Sequence, residues 1–264
     1  MLSAEDTARA VEILAAARLG GGPTSRLPDP LMPKTVAEGY ELQNRLNAHL
    51  TQAGFGPVVG HKIGCTTKVM QDYMKISEPC AGEVFSTMEF HESADVQIDL
   101  YHRIGIEVEI GVLLSHDLDQ DGPFTRETVG GYVEAVLPAV ELVDDRYVDY
   151  PSLPVPMLVA DNFFNSGAVL GAPVMNWQHL DLAAITGNLY IDGDEAGAGV
   201  GADILGHPFE ALAWLANLRC KQGRPLKAGE FVLLGSIVKT VHFDEPAQCV
   251  ADLGELGRIE VNFV

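Results

Sequence analysis

Apolar residues recur at helical spacing up to about residue 56 and in short strand-like runs after it. SAEDTARAVEILAAARLG reads as a first helix: Ser3 can cap its N-terminus, acids fill its first turn, and Gly20-Gly21-Gly22-Pro23 ends it. A proline-rich linker, GGGPTSRLPDPLMPK, precedes a second helical pattern, TVAEGYELQNRLNAHLTQAG, capped near Thr35 and stopped at Gly54. Beyond Pro57 the texture changes. VVGHKIGCT, IEVEIGVLL, AVELVDD, GNLYIDGDE, EFVLLGSIV and RIEVNFV are β-branched runs separated by Gly, Pro and Asp turns. Asp192-Gly193, between NLYI and DEAG, is a two-residue hairpin signal. Two helical patterns interrupt the strands, one around TRETVGGYVEAV and one at HPFEALAWLANLRCKQG, which ends at Gly223. The pattern predicts an α+β chain without internal repeats. A helical N-terminal region spans 1–56, and a mixed, strand-rich catalytic or binding domain spans 57–264.

One strand breaks its own hydrophobic rule. In RIGIEVEIGVLL, Ile106, Val108 and Ile110 share one face and Glu107 and Glu109 share the other, because side chains two apart point the same way. A solvent-facing sheet edge would explain the pair. The run continues as GVLL, however, which suits a core strand, and Glu141 lies in a similarly apolar setting, VLPAVELVDDR. Three converging carboxylates repel one another and resist desolvation. A hard divalent cation removes both penalties, so Glu107, Glu109 and Glu141 are candidate ligands for Mg²⁺ or Mn²⁺.

Composition narrows the partners. Seventeen Lys+Arg against 37 Asp+Glu give a formal charge of −20 over 264 residues, which argues against nucleic acid or an anionic membrane as a partner. A small anion is compatible, given local positive charge. Cys65, Cys80, Cys220 and Cys249 form no C-x-x-C pair and read as free thiols in a reducing cytoplasm. No basic-then-apolar leader opens the sequence, and no apolar run has membrane-spanning length, so a cytoplasmic protein is expected. DLDQDG, Asp117 to Gly122, imitates half of an EF-hand loop, but the twelfth position is Thr128, not Glu, so a polar surface turn is expected. GAGVGAD, near residue 200, follows a hairpin outside any βαβ unit and is not read as a dinucleotide site.

Taken together, GHKIGCT, IEVEIGVLL, VLPAVELVDDR, GHPFEALAWLANL and LKAGEFVLLGS resemble the hydratase/decarboxylase branch of the fumarylacetoacetate-hydrolase superfamily, in order from about Thr35 to the C-terminus. That branch includes 2-keto-4-pentenoate hydratase, 2-oxohept-4-ene-1,7-dioate hydratase and 4-oxalocrotonate decarboxylase. The resemblance implies a fumarylacetoacetate-hydrolase-like fold and metal binding by Glu107, Glu109 and Glu141. It makes Lys62 an active-site residue and carries Asp161 over from an A-D-N-A-S-like segment. Two departures stand out: Cys65 where relatives carry leucine, and ADNFFNSGAVLG in place of small residues after Asn162.

From its own residues, Lys62 lies between Gly60 and Gly64 and could either contact substrate and handle protons or simply pair with a neighbouring acid. A metal beside it would lower its pKa. Asp161 could be a base, orient a water, or cap a helix or turn. Asn165 and Ser236 are expected polar pocket contacts; Lys239 in GSIVKT could be an exposed strand lysine, and the resemblance to the family's dicarboxylate hydratases implies that it reads the distal end of the substrate. Arg146 reads as an ion-paired turn, and His61, His207 and His242 as structural or supporting groups.

The implied reaction is metal-dependent hydration of a 2-hydroxy-2,4-dienoate in aromatic meta-cleavage catabolism. 4-Oxalocrotonate decarboxylation is the alternative, and a non-catalytic partner subunit is an alternative of another class. The family's C–C hydrolases match less well, because their helical His-Glu region is missing. The resemblance also implies a homo-oligomer that can associate with a pathway enzyme.

Overall fold

A computed structural model describes residues 2–119 and 123–264. Helix α1 (Ala4–Gly20) starts at Ser3, whose hydroxyl accepts from the Asp6 amide, and ends at Gly21 in the left-handed conformation. Helix α2 (Val36–Leu50) is capped by Thr35, which accepts from the Glu38 amide, and its last turn relaxes at Gly54. Their apolar faces meet Phe85, Met157 and Ala160 in one core around Leu14, Leu42, Leu46 and Leu50. No helix among the described residues is long and apolar enough to cross a membrane.

The strand-rich part contains more helix than its pattern predicts. After β1 (Val58–Gly64) comes α3 (Lys68–Met74), a two-turn helix capped by Thr67. Strands β2 (Cys80–Phe85), β3 (Glu89–His91), β4 (Ser93–Val96) and β5 (Ile104–Leu114) follow. The helix expected over TRETVGGYVEAV shrinks to one turn, α4 (Arg126–Val129), because VEAV already belongs to β6 (Val133–Asp144). Paired along almost its whole length with β5, β6 gains backbone hydrogen bonds and burial that local helix propensity cannot match. Helix α5 (Val155–Ala160) was not legible in the pattern. It is short, and its helical spacing is lost in a continuous apolar run.

Strand β7 (Asn165–Leu170) is followed by the hairpin of β8 (Thr186–Ile191) and β9 (Asp194–Val200). Asp192 and Gly193 both have positive φ there, the turn that suits the strand twist. GAGVGAD lies on β9 and the turn after it, so it is hairpin rather than nucleotide loop. Helix α6 (Pro208–Lys221), β10 (Phe231–Ser236), β11 (Val241–His242), β12 (Ala247–Asp252) and β13 (Arg258–Phe263) complete the chain. Asp117 pairs with Lys227 and accepts from the Ala228 amide, a surface-turn role; Gln120 to Gly122 of the EF-hand-like stretch lie outside the described residues.

Two sheets result. The larger has the order β2-β1-β10-β5-β6-β7-β3 with β11 added beside β5, and the smaller has the order β4-β13-β12-β8-β9. Ile106, Val108 and Ile110 of β5 bury with Leu189, Ala251 and Val261 of the smaller sheet in one core that also takes in α6. The larger sheet curls until β2 lies beside β7. Backbone pairing does not close that gap. The Asn162 carboxamide does, accepting from the Glu83 amide at 2.8 Å and donating to the Glu83 carbonyl at 2.5 Å. Inside the curl, Val84, Leu137, Ala139, Ala168, Phe231 and Leu233 form a small apolar plug.

Removing Leu14, which is fully buried between α1 and its neighbours, as Leu14→Ala should cost about 2–5 kcal/mol of unfolding free energy in urea titrations. An unchanged midpoint would show that α1 is not part of the cooperative core.

Candidate active site and metal centre

The Glu face of β5 looks into the curl, above the apolar plug. Pairing sets Glu107 opposite Glu141 on β6 and Glu109 opposite Ala139, while Ser236 of β10 falls beside Glu109. One carboxylate oxygen of each of Glu107, Glu109 and Glu141 lies within 4.8 Å of the others. Glu109 and Glu141 are completely buried. The strand therefore is no solvent-facing edge.

Glu109 and Glu141 are each held on one side and left open on the other. Glu109 Oε2 accepts from the Gly235 amide at 2.7 Å, and Glu141 Oε1 accepts from Asn165 Nδ2 at 3.0 Å and faces Lys62 Nζ at 3.1 Å. Glu107 accepts from the Thr240 hydroxyl. Glu109 Oε1 and Glu141 Oε2 are buried with no hydrogen-bond partner. Two orphaned oxygens of this kind are expensive unless a cation completes them. Three carboxylates against one ammonium leave a formal deficit of two charges, the charge of a divalent ion. The donor set is all oxygen, as Mg²⁺ or Mn²⁺ prefers.

Burial, reinforced by Glu107, pushes the Glu141 carboxyl up to about 7 against the pull of Lys62. Burial, then Glu141 and Glu107, raise Glu109 well above the carboxylate range. Desolvation works against the Lys62 ammonium, yet Glu141 and Glu107 outweigh it and hold its pKa above the ordinary lysine value. That direction is opposite to the one a neighbouring metal alone would impose. Lys62 is almost fully buried, with its Nζ 5.0 Å from the centre of the Phe163 ring. Two glycines make this approach possible. A Cβ at Gly64 would lie 2.8 Å from the Phe163 ring, and one at Gly82 would lie 2.7 Å from the Asn162 carbonyl oxygen.

The remaining sequence-selected residues divide. Asn165 enters the cluster through Glu141. Ser236 is half-buried and donates to the Val238 carbonyl, beside Glu109 but with no hydrogen bond to it. Lys239 is exposed on the loop just before Thr240. Asp161 makes its side-chain contacts with arginines and not with the three glutamates or Lys62. It caps α5, is fully buried, and faces Arg146 at 3.3 Å and Arg18 at 3.8 Å, so of the roles open to it the capping and ion-pair role matches its contacts. Cys65 adopts positive φ at the end of β1, an irregularity that leucine would share equally. His61 bridges Glu230 and Arg219, and His207 caps α6 by accepting from the Phe209 amide.

Sequence reasoning missed Thr240, Gly235 and Phe163. Nothing in one sequence separates Thr240 from any loop threonine; the pairing of β11 with β5 brings it to Glu107. It also missed a buried ionic group on the outer face of the sheet. Glu83 there meets Arg219 at 3.2 Å and Arg224 at 2.9 Å, and these cations with His61 overcome burial to hold its carboxyl below the usual range.

With this geometry, comparison with known proteins is decisive. Residues 83–264 match the family described as fumarylacetoacetate (FAA) hydrolase C-terminal. The chain belongs to that family. It is 33% identical over 228 residues, 86% of this chain and 84% of the relative, to the 2-keto-4-pentenoate hydratase of Paraburkholderia xenovorans (strain LB400). It is 34% identical over 227 residues, 85% of this chain and 86% of the relative, to the 4-oxalocrotonate decarboxylase of a Pseudomonas species. The solved 4-oxalocrotonate decarboxylase from Pseudomonas putida G7, complexed with magnesium and adipate, superposes with a TM-score of 0.92 at 24% identity over 100% of this chain and 99% of that one. The fumarylacetoacetate-hydrolase-like α+β fold is thereby established, and the sequence relatives place the chain in the hydratase and decarboxylase branch of lyase-type enzymes.

The carboxylate pKa shifts carry a stability consequence. Between the ordinary carboxylate pKa and about 7, the folded state binds more protons than the unfolded chain through Glu109 and Glu141, so stability falls as pH rises through that window. In chelator, Glu109→Gln should raise the thermal midpoint relative to wild type at about pH 8 more than at about pH 5, and added Mn²⁺ should stabilise the wild type but not the variant. An equal offset at both pH values would remove the charge repulsion argued above.

Proposed function

We propose that the chain is a divalent-metal-dependent hydratase that adds water to a short 2-hydroxy-2,4-dienoate. The observation that carries this reading is the carboxylate cluster in which buried Glu109 and Glu141 keep unpartnered oxygens beside Glu107 and Lys62. Glu107, Glu109 and Glu141 would hold Mg²⁺ or Mn²⁺. When bound, the ion would supply Lewis acidity to a 2-oxo acid.

The chain's own side chains supply the rest. Thr240 and Asn165 orient Glu107 and Glu141 by hydrogen bonds, and the Gly235 amide does so for Glu109. Lys62 Nζ gives a proton to C5 and regains one from the C2 hydroxyl, so that the dienol ketonises to a conjugated enone with no net proton taken up. Water then adds its oxygen at C4 and a proton at C3, giving a 4-hydroxy-2-oxo acid. Phe163 covers the Lys62 ammonium and excludes bulk water from it. Asp161 acts through the arginines it pairs with. Residues 1–56 serve as a helical cover for the catalytic domain of 57–264.

Decarboxylation is the second reading, because relatives with that activity are as similar as the hydratases. The hydratase is favoured by the aromatic group at Lys62, where Phe163, Phe164 and Tyr150 pack edge to face and suit a hydrocarbon tail better than a second carboxylate. Lys239 is the cation available to a longer, dianionic substrate. The free thiols, with Cys80 and Cys249 buried, support a reducing, cytoplasmic setting, and family membership supports a homo-oligomer.

Metal-stripped protein reloaded with Mg²⁺ or Mn²⁺ should consume 2-hydroxypenta-2,4-dienoate and release 4-hydroxy-2-oxopentanoate. CO₂ from 2-oxohex-3-enedioate, with the dienoate untouched, would install the decarboxylase; silence on both would favour the partner subunit. Lys62→Met should lower kcat by about 10²–10⁴-fold if the lysine moves a proton. Lys239→Ala should raise KM for a diacid while leaving the five-carbon monoacid unaffected. An equal effect on both would remove Lys239 from substrate recognition.

A further inference from the structure

The backbone between α5 and β7 is unusual. Asn162, Phe163 and Phe164 take φ of 65°, 45° and 68°, three consecutive residues in the left-handed region without a glycine. Such a run persists only where its surroundings over-determine it. Two side chains hang from it into the pocket: Phe163 lies over Lys62, and Asn165 donates to Glu141.

What determines it is Arg146, two residues beyond the end of the strand that carries Glu141. Its Nη1 donates to the Asp161 carbonyl at 3.2 Å and to Asp161 Oδ2 at 3.3 Å. Its Nη2 donates to the Phe164 carbonyl at 3.2 Å, the Asn165 carbonyl at 2.6 Å and Ser166 Oγ at 2.8 Å. One buried guanidinium thus gathers four residues in and beside the turn, sharing the Phe164 carbonyl with the Asp144 amide, which donates to it at 2.9 Å. Arg18 of α1 reinforces the clamp, lying 3.8 Å from Asp161 and 3.5 Å from the Asn165 carbonyl. The fork is what matters. A lysine could keep the charge opposite Asp161 but could not span carbonyls and hydroxyl together.

We propose that Arg146 is a positioning residue of the active site: by clamping residues 161–166 it sets Asn165 against Glu141 and Phe163 against Lys62. The catalytic part of this statement rests on the hydratase reading above. The clamp itself does not.

The test is Arg146→Lys in the full chain, compared with Val261→Ala, a buried truncation in the smaller sheet chosen to lower stability by a different route. Three quantities are read: kcat and KM on 2-hydroxypenta-2,4-dienoate, Mn²⁺ affinity by titration, and the rate of Lys62 reductive methylation followed by mass spectrometry. Arg146→Lys should lower kcat or Mn²⁺ affinity by about 10–100-fold, the size expected for a residue that orients a ligand. It should also speed Lys62 methylation several-fold while KM moves little. Val261→Ala should change none of these. If both variants lose activity and Lys62 protection in proportion to their thermal midpoints, or if Arg146→Lys matches wild type in all three, the positioning role is overturned. Should wild type hydrate no dienoate, the reaction reading falls while Mn²⁺ affinity and Lys62 methylation still decide the clamp. Should Arg146→Lys fail to fold, Arg18→Lys, which loosens the same turn from α1, is read in the same way.

Discussion

Everything near the site follows from placing three carboxylates inside a curled sheet with one ammonium among them. Desolvation and mutual repulsion both oppose that arrangement, and both show in the raised carboxyls of Glu109 and Glu141. The pocket meets the demand with directed hydrogen bonds from Gly235, Asn165 and Thr240, and those to Glu109 and Glu141 leave the opposite oxygen of each without a partner. An arrangement built only for stability would satisfy every oxygen or replace the charges with apolar groups of similar volume. Leaving them open is the mark of a site that expects a cation.

The surrounding structure is organised to keep that pocket shut and ordered. The curl is closed by the Asn162 carboxamide acting as a substitute strand for Glu83, and the same turn delivers Phe163 and Asn165. Arginines stand behind it on two sides: buried Arg146 together with Arg18 holds the turn, and buried Arg219 with the exposed Arg224 neutralises Glu83 on the outer face. The ionic groups flanking the site are therefore paired, and the inner cluster is the one with negative charge in excess.

Much of this was legible in the chain, and the limits are physical. Helix caps at Ser3 and Thr35, the Asp192-Gly193 hairpin and α6 depend on residues adjacent in sequence, so pattern alone locates them. Glu107 and Glu109 were visible because charge on one face of an otherwise apolar strand violates alternation. The β6 boundary was misread because pairing with β5 overrode local preference. Asp161 was selected for the right segment but could not be assigned a partner, since Arg146 and Arg18 reach it from other elements.

By itself, the sequence determined the α+β class, the family motifs and the residue types able to bind a hard cation, because these rest on periodicity and on side-chain chemistry. Only the tertiary structure decided that Glu107, Glu109 and Glu141 converge, that Lys62 faces Glu141 beneath Phe163, and that Thr240 reaches Glu107 while Arg146 holds the turn that carries Phe163. Those facts depend on strand order and sheet curl, which bring together side chains far apart in the chain. Such distances are set by long-range backbone pairing, and no local pattern encodes them.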